Sequence, residues 1–522
     1  MAKVRIYDTT LRDGAQGEGI SYSVMDKINI AKELDILGIQ YIEGGWPGSN
    51  PKDMEFYLKM SNVCLQNSQL AAFSMTRRLN TKASLDPNIK SLVKSQVKII
   101  TIVGKTWDLH VTDVLKASLE ENLEMIKDTV SFLVSKGLTV FYDAEHFFDA
   151  YKSNPDYSLK TLLAAQEAGA KIICLCDTNG GALTSEVSRI VLEIKGRIKV
   201  SLGIHCHNDA GLAVANSLAA VEAGCDMVQG TINGIGERCG NADLIAIIAN
   251  LKLKMGIDCI ADDKLKELTH VSHFVSEMSN MKQQNNQPYV GESSFAHKGG
   301  MHINAIMKNP KTYEHIDPVL VGNHRRVLVS ELAGKTGVLI RAKDLDLDLS
   351  KEDPKTKKIL QLVQKLEHEG YHFEAAEASF EILMKRALKK YKKFFDLEGF
   401  RVVIEKKSDK KITTEAIIRI KVKGIKEHTA ADGDGPVNAL DNALRKALKD
   451  FYPTLSKMHL SDFKVRVLDE KAGTAAKVRV LIQSQDEMDS WNTIGVSENI
   501  IEASWQALLD SVEYKLLKDN VK

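Results

Sequence analysis

The sequence has no long uninterrupted apolar run, and no stretch approaches the roughly 20 residues that a membrane-spanning helix needs. It also lacks an excess of either charge, because 70 Lys and Arg residues face 69 Asp and Glu residues and leave a formal net charge of +1. Such a chain has no global field that would attract a polyanion. We therefore expect no nucleic-acid partner and no membrane partner.

Cysteines are few and irregularly placed. The seven cysteines show neither zinc-ribbon nor thioredoxin spacing, and their odd number suits a reducing compartment with mostly unpaired, buried thiols. The opening segment, MAKVRIYDTTLRDG, has neither an apolar signal core nor a long Arg/Ser-rich presequence. We expect a cytoplasmic protein.

Up to about residue 255, short apolar segments alternate with amphipathic segments of helical period, and eight such units can be counted. The predicted strands are residues 4–7, 41–43, 71–75, 98–103, 139–143, 171–176, 199–205 and 227–230. Helices such as 23–37, 118–135 and 210–223 follow them. Eight repeats with strands that are apolar on both faces favour a closed (β/α)₈ TIM barrel over an open doubly wound sheet.

The 522 residues suffice for two or three domains. We predict a catalytic barrel over 1–270, mainly helical linker subdomains over 271–395 and an α+β domain over 396–522. In the last, FRVVIEK and TEAIIRIKVKG alternate like strands, and a helix is predicted at 436–450. An internal repeat at an offset of sixty matches Gly435, Leu440, Ala443, Ala447 and Leu448 with Gly495, Ile500, Ala503, Ala507 and Leu508. Chance similarity of two small-apolar helix faces is the alternative.

Polar residues cluster directly after the predicted strands, where a (β/α)₈ barrel carries its chemistry. They are Asp8, Arg12, Asp13 and Gln16 after the first strand, Glu43 after the second, Asp143 and Glu145 at the fifth, Asp177, Thr178 and Asn179 at the sixth, His205, His207, Asn208 and Asp209 at the seventh, and NGIGERCGN after the eighth. Packing gives no reason for this convergence, so we expect a functional site at this mouth.

His205 and His207 are two residues apart on an extended segment, so both imidazoles point to the same side. Alone, such a pair is more often ordinary histidine, but with Asp13 at the same mouth it predicts a divalent metal site that Asn241 could approach. Zn²⁺, Mn²⁺ or Co²⁺ is favoured, and Mg²⁺ would need further oxygen ligands. Arg12 could grip a carboxylate or stabilise a developing enolate, or simply pair with Glu43.

Three motifs in order, DTTLRDGAQ (8–16), HCHND (205–209) and NGIGERCGN (233–241), resemble the α-isopropylmalate, homocitrate and citramalate synthase family of metal-dependent barrel enzymes. The similarity extends through FAHKGGMHINAIMKNPKTYEHIDP (295–318), like the family's linker, and DGDGPVNAL, like its regulatory domain. Within the family, GWPGSNPKD (45–53) and GKTWDLHV (104–111) look most like the citramalate-forming branch.

The resemblance implies condensation of acetyl-CoA with a 2-oxo acid, here pyruvate, followed by thioester hydrolysis to citramalate in isoleucine biosynthesis. It implies metal ligands Asp13, His205, His207 and Asn241, and substrate-binding residues Arg12, Gln16, His110, Asp143 and Thr178. It implies catalytic roles for Arg12 and for Glu145, which helps remove the acetyl methyl proton, and for His302 and Tyr313, delivered by the partner of a homodimer. Isoleucine, or else leucine, would be the feedback inhibitor bound by the terminal domain.

Several alternatives stay open. The same residues could make 2-isopropylmalate or homocitrate instead of citramalate. A lyase of the barrel superfamily is less compatible with the long C-terminal part of this chain. A non-catalytic metabolite sensor is disfavoured because Arg12, Asp13, Glu145, His205 and His207 are all present. Thr178 could cap a helix. Trp46, Phe73, Met75 and Trp107 lie near strand ends and could fill the pocket around a small oxo acid, or could be ordinary packing.

Overall fold

The computed structural model describes residues 3–328, 339, 342, 353–406, 412–468 and 475–519. The chain divides into two compact units, Met1–Phe295 with His315–Arg325, and Ala296–Glu314 with Arg326–Lys522. These units do not follow the domain boundaries expected at 270 and 395, which stay predictions. Among the described residues, no helix is long and apolar enough to cross a membrane.

The first unit contains a closed barrel of eight parallel strands that pair in sequence order, which confirms the predicted fold class. The strands are β1 Arg5–Asp8, β2 Tyr41–Glu43, β3 Gln69–Met75, β4 Ile99–Lys105, β5 Thr139–Glu145, β6 Ile172–Asp177, β7 Ser201–Cys206 and β8 Met227–Gly230. All six residues of β6 are buried. A strand that is buried on both faces is apolar along nearly its whole length, and this is why the sequence pattern identified these strands.

Helices of this unit surround the barrel and bury apolar side chains against the strands. They are α1 Val24–Leu37, α2 Pro51–Met60, α3 Pro87–Lys94, α4 Leu119–Ser135, α5 Phe147–Ser153, α6 Pro155–Glu167, α7 Thr184–Lys195, α8 Ala213–Glu222, α9 Leu244–Leu253 and α10 Leu268–Met278. Ser23 and Asp26 form a complete capping box at the start of α1, and Gly38 ends the helix with φ at 90°.

The second unit begins with a short parallel pair, β9 Ala296–His297 and β10 Arg326–Val327. In the described part of residues 296–395, helices α11 Gly300–Lys308, α12 Pro354–His368 and α13 Glu377–Ala387 follow, and this part is mainly helical, as expected. Two antiparallel three-stranded sheets follow, each with a helix after it. The first has β11 Phe395–Glu405, β12 Thr413–Val422, β13 Ile425–Gly433 and α14 Pro436–Leu448, and the second has β14 His459–Val467, β15 Val478–Gln485, β16 Ser490–Ser497 and α15 Ile500–Lys518.

These two halves are the internal repeat, but the offset differs from the expected sixty residues. The hydroxyl of Thr429 donates to the carbonyl of Ala443 at 3.0 Å, and the hydroxyl of Thr493 donates to that of Ala507 at 2.7 Å. Equivalent residues are therefore 64 positions apart. Because residues i and i+4 share one helix face, a shift of a single turn superposes the small apolar residues nearly as well, and the sequence match was displaced by that turn.

Candidate active site at the barrel mouth

The loop after β1 is a tight turn around the carbonyl oxygen of Thr9. This oxygen accepts hydrogen bonds from the backbone N–H groups of Arg12 (3.2 Å), Asp13 (2.9 Å) and Gly14 (3.0 Å). The hydroxyl of Thr9 donates to Glu43 at 2.6 Å and so fastens the turn to the end of β2. The turn thus presents Arg12 and Asp13 side by side at the mouth.

Asp13 lies close to His205 in β7 and to His207, which directly follows that strand. Its Oδ2 atom lies 3.3 Å from Nε2 of His205 and 3.9 Å from Nε2 of His207, and all three side chains are buried. Their donor atoms lie within 4.8 Å of one another. One carboxylate oxygen and two imidazole nitrogens form a donor set that suits a borderline divalent cation.

Asn241 reaches the same place from the loop after β8, through an isolated antiparallel bridge to His207. Its Oδ1 atom is buried and accepts no hydrogen bond from any described residue. Gly240 makes this approach possible, because its φ is +86° and a Cβ there would lie 2.0 Å from the carbonyl oxygen of Gly234. A buried amide oxygen without a donor is costly unless a ligand binds it, so the site fits a metal.

Electrostatics at these residues reflect crowding and burial. Burial raises the pKa of Asp13, but the charge of Arg12 and the contact with His205 outweigh it and hold that pKa well below the usual range. Burial and the neighbouring His205 lower the pKa of His207 to about 4. An ionised carboxylate and a neutral imidazole are the forms that bind metal.

Behind His205 lies a chain of buried hydrogen bonds. Its Nδ1 atom lies 3.1 Å from Oε1 of Gln229, and Nε2 of Gln229 donates to Asp143 at 2.9 Å. Burial, and then the nearby Glu43 carboxylate, raise the pKa of Asp143 to about 7. Asp143 is 3% exposed and contacts the Gln229 amide, and its predicted role in substrate binding stays a prediction.

Arg12 is held from two sides. Its Nε atom lies 2.6 Å from Oε2 of Glu43, its Nη1 atom lies 3.6 Å from Asp13, and its guanidinium carbon stands 4.0 Å above the centre of the Phe73 ring. The ion pair with Glu43 is therefore present, and among the described residues none binds Nη2. Although burial lowers it, the pKa of Arg12 is raised overall by Glu43 and Asp13, so the group stays charged.

Glu145 ends β5, and its carboxylate is paired with the ammonium of Lys105 from the end of β4. The next residue, His146, has φ at +54°, and its backbone N–H donates to the hydroxyl oxygen of Thr178 at 2.9 Å. The Thr178 hydroxyl therefore stabilises the segment after β5 and does not cap α7, the helix that follows β6. His110 starts a short π-helix and stacks on Trp107, with ring centres 5.3 Å apart.

The remaining predicted residues occupy different places. Gln16 is exposed and lines a cavity of about 340 Å³ next to Arg12. His302 and Tyr313 belong to the second unit, where they are exposed and their rings stack with centres 4.1 Å apart. The structure thus brings these two together, and their delivery from a partner subunit stays a prediction.

Two polar residues at the mouth, Gln229 and Lys105, were missed, and Arg238 was expected there only as part of NGIGERCGN, with no role of its own. Gln229 is a polar residue inside an apolar strand, and Lys105 is a charge at the end of one, so both carried a weak signal. Arg238 forms two hydrogen bonds to Asp209, at 2.8 and 2.9 Å, and one to the carbonyl of Thr178 at 2.8 Å. It thereby joins the loops after β6, β7 and β8.

Three family models match successive parts of the chain and together agree with this architecture over most of its length. Residues 3–275 match the HMGL-like family, residues 289–370 the homocitrate synthase post-HMGL domain-like family and residues 374–516 the LeuA allosteric (dimerisation) domain. HMGL-like enzymes are metal-dependent, in agreement with the Asp13, His205 and His207 cluster.

Full-length relatives point to one branch. The chain is 55% identical to the (R)-citramalate synthase of Aquifex aeolicus (strain VF5) over 99% of its length and 98% of the relative's. It is 56% identical to that of Geobacter sulfurreducens (strain ATCC 51573 / DSM 12127 / PCA), with the same coverage. Identity to the 2-isopropylmalate synthase of Methanocaldococcus jannaschii (strain ATCC 43067 / DSM 2661 / JAL-1 / JCM 10045 / NBRC 100440) is 31%, over 99% of this chain and 95% of that one. The chain therefore belongs to the (R)-citramalate synthase family of HMGL-like enzymes.

Proposed function

We propose that the chain is an acyltransferase that condenses acetyl-CoA with pyruvate and hydrolyses the thioester, giving (R)-citramalate and CoA in the threonine-independent route to isoleucine. The proposal rests on the close approach of Arg12, Asp13, His205 and His207 at the mouth of the barrel. The chain that carries them is 55–56% identical to (R)-citramalate synthases along nearly all its length. We retain the barrel, linker and regulatory domains at 1–270, 271–395 and 396–522.

In this reaction the acetyl methyl group loses a proton to Glu145, and the carbon left behind forms a bond to C2 of pyruvate. The keto oxygen becomes a hydroxyl by taking up a proton, and water then breaks the C–S bond to give a carboxylate and the CoA thiol. Lys105 holds the Glu145 carboxylate in place. A base within reach of the proton it removes typically contributes 10²–10⁴-fold.

Pyruvate is gripped by the charged Arg12, whose Nη2 has no partner among the described residues, and by the hydroxyl of Thr178. The oxygen of that hydroxyl already accepts from His146, so its proton is available to a substrate oxygen. Gln16 and His110 line the approach. Zn²⁺, Mn²⁺ or Co²⁺, held by Asp13, His205, His207 and Asn241, would supply Lewis acidity at the keto group, and Mg²⁺ is the less natural fit.

The LeuA allosteric (dimerisation) domain supports a homodimer under feedback control, with isoleucine as the expected inhibitor and leucine as the alternative. In such a dimer the stacked pair His302 and Tyr313 would complete the partner's barrel mouth. The balanced charge and the reducing-compartment cysteine pattern support a cytoplasmic location.

The test is a thiol-release assay with acetyl-CoA and pyruvate, 2-oxoisovalerate or 2-oxoglutarate. We expect kcat/KM to be at least tenfold higher for pyruvate than for the other acids. A preference for 2-oxoisovalerate would instead make the chain a 2-isopropylmalate synthase, and release of acetyl-CoA from a hydroxyacyl thioester without condensation would make it a lyase.

Metal dependence is tested separately. Chelation should abolish turnover, and added Mn²⁺ or Co²⁺ should restore it. Asp13→Asn should stay inactive after metal is added, whereas Asp26→Asn, which alters only the exposed cap of α1, should behave like wild type.

A further inference from the structure

A pair of aromatic side chains stands directly behind Arg12. The guanidinium of Arg12 lies 4.0 Å above the Phe73 ring, and the Trp46 indole packs edge-on against the same ring, with centres 5.7 Å apart and planes at 78°. Phe73 is 8% exposed, so it is nearly withdrawn from solvent. A cation over an aromatic face is attracted by the ring quadrupole, and more strongly where water is excluded.

The backbone fixes both rings. The N–H of Phe73 donates to the carbonyl of Gly45 at 3.0 Å, and the N–H of Trp46 donates to Asp53 at 2.9 Å. Asp53 is itself held by the buried ammonium of Lys27. Gly45 has φ at +147°, and a Cβ there would lie 2.3 Å from the Asp53 carboxylate. Only glycine at this position therefore lets Asp53 approach the backbone N–H of Trp46.

Trp46 also borders open space next to Arg12. A cavity of about 340 Å³ is lined by Arg12, Gln16, Ile20, Tyr22 and Trp46. The buried indole Nε1 atom has no hydrogen-bond partner among the described residues, so no polar contact inside the protein explains the choice of tryptophan here. The indole supplies bulk next to the Arg12 guanidinium, the group that binds the oxo acid.

We propose that Phe73 is a positioning residue for Arg12 and that Trp46 is a specificity-determining residue that restricts the 2-oxo acid to a small side chain. The inference rests on the proposed function, because it assigns a cause to the preference for pyruvate. A rigid ring fills the volume that a branched side chain would need, and extra methylenes in a packed pocket are excluded by steric overlap. Phe73 keeps the guanidinium from turning into that volume.

The experiment measures kcat and KM for pyruvate and 2-oxobutanoate in the full-length, metal-loaded enzyme. In Trp46→Leu, the ratio of kcat/KM for 2-oxobutanoate to that for pyruvate should rise tenfold or more. This ratio does not depend on the folded fraction of the preparation, so partial misfolding cannot imitate the result. Phe132→Leu, a truncation of an aromatic residue on α4, should leave the ratio within twofold of wild type.

For Phe73, Phe73→Leu should raise KM for pyruvate at least fivefold with kcat within threefold, and Phe73→Tyr, which keeps the aromatic face, should restore KM. A smaller change of the ratio in Trp46→Leu, or of KM in Phe73→Leu, overturns the inference while the proposed function stands. Wild-type enzyme that does not consume acetyl-CoA with pyruvate overturns the proposed function itself.

Discussion

The Nδ1 atom of His205 lies 3.1 Å from the Oε1 atom of Gln229, and both side chains are buried. In the orientation in which Nε2 of Gln229 donates to Asp143, Oε1 of Gln229 accepts the proton of His205 Nδ1. The lone pair of His205 Nε2 is thereby directed toward Asp13. A hydrogen bond to the rear nitrogen is the usual way in which proteins orient a metal-binding histidine.

Replacement of Gln229 by Met should therefore weaken divalent-metal binding about 10–100-fold while the barrel stays folded. The measurement is calorimetric titration of the metal-free protein with Mn²⁺. Gln166→Met is the matched control, because Gln166 accepts a backbone N–H of Lys199 at the other end of the barrel. Wild-type affinity in Gln229→Met would show that His205 needs no such support.

Glu145→Gln should lower kcat by about 10²–10⁴-fold, since the base that takes the methyl proton is lost. It should also stop exchange of the acetyl-CoA methyl protons with D₂O, followed by NMR in the presence of a non-reacting pyruvate analogue. Lys105→Met should slow the same exchange about tenfold by releasing the Glu145 carboxylate. Glu193→Gln, at an exposed surface pair with Arg189, is the control. Undiminished exchange in Glu145→Gln would remove Glu145 from the mechanism.

Gly240→Ala should damage the metal loop, whereas Gly256→Ala should not. Both glycines have left-handed φ, +86° and +64°, so each substitution carries a conformational cost of about 1–2 kcal/mol. Only at Gly240 would the new Cβ also overlap a backbone oxygen, at 2.0 Å, whereas no atom lies within 4 Å at Gly256. Metal affinity and Tm, measured on both, should fall further in Gly240→Ala. Equal effects would contradict the close-approach argument.

Asp8 makes stability depend on pH. Burial raises its pKa from 3.8 to about 7, so between these values the folded chain holds a proton that the unfolded chain has lost. The free energy of unfolding then falls as pH rises, by up to about 1.4 kcal/mol per pH unit. In Asp8→Asn this term is absent, so its Tm relative to wild type should increase from pH 5 to pH 8.

The control for this experiment is Asp258→Asn. The pKa of Asp258 is lowered by its contact with Lys252, so this carboxylate is ionised in both states above pH 5. Its Tm difference from wild type should stay constant over the same range. A constant difference in Asp8→Asn as well would mean that Asp8 is ionised in the folded protein throughout.

The eight strands could be predicted because burial on both faces leaves a direct mark on composition. The site could be predicted in part because parallel strands end at one rim, so Asp13 and His205 had to converge. The role of Gln229 could not be predicted, because a single polar residue inside a strand does not reveal which neighbouring side chain it faces. Only the register of β7 and β8, in which His205 pairs with Gln229, shows it.

The repeat offset illustrates a different limit. A match of small apolar residues identifies a helix face, but it does not identify the position along that face, because every fourth residue repeats the pattern. The equivalence of Thr429 and Thr493 rests on what each hydroxyl binds, and that information exists only in the folded chain.

Arg238 binds Asp209 and the carbonyl of Thr178. These hydrogen bonds hold the loops after β6, β7 and β8 together, so folding already restricts their conformations. Ligand binding at this side of the mouth should then have a small entropic cost of ordering. Because that side is rigid, we expect substrates of different size to be distinguished at the loops after β1 and β2, around Arg12 and Trp46.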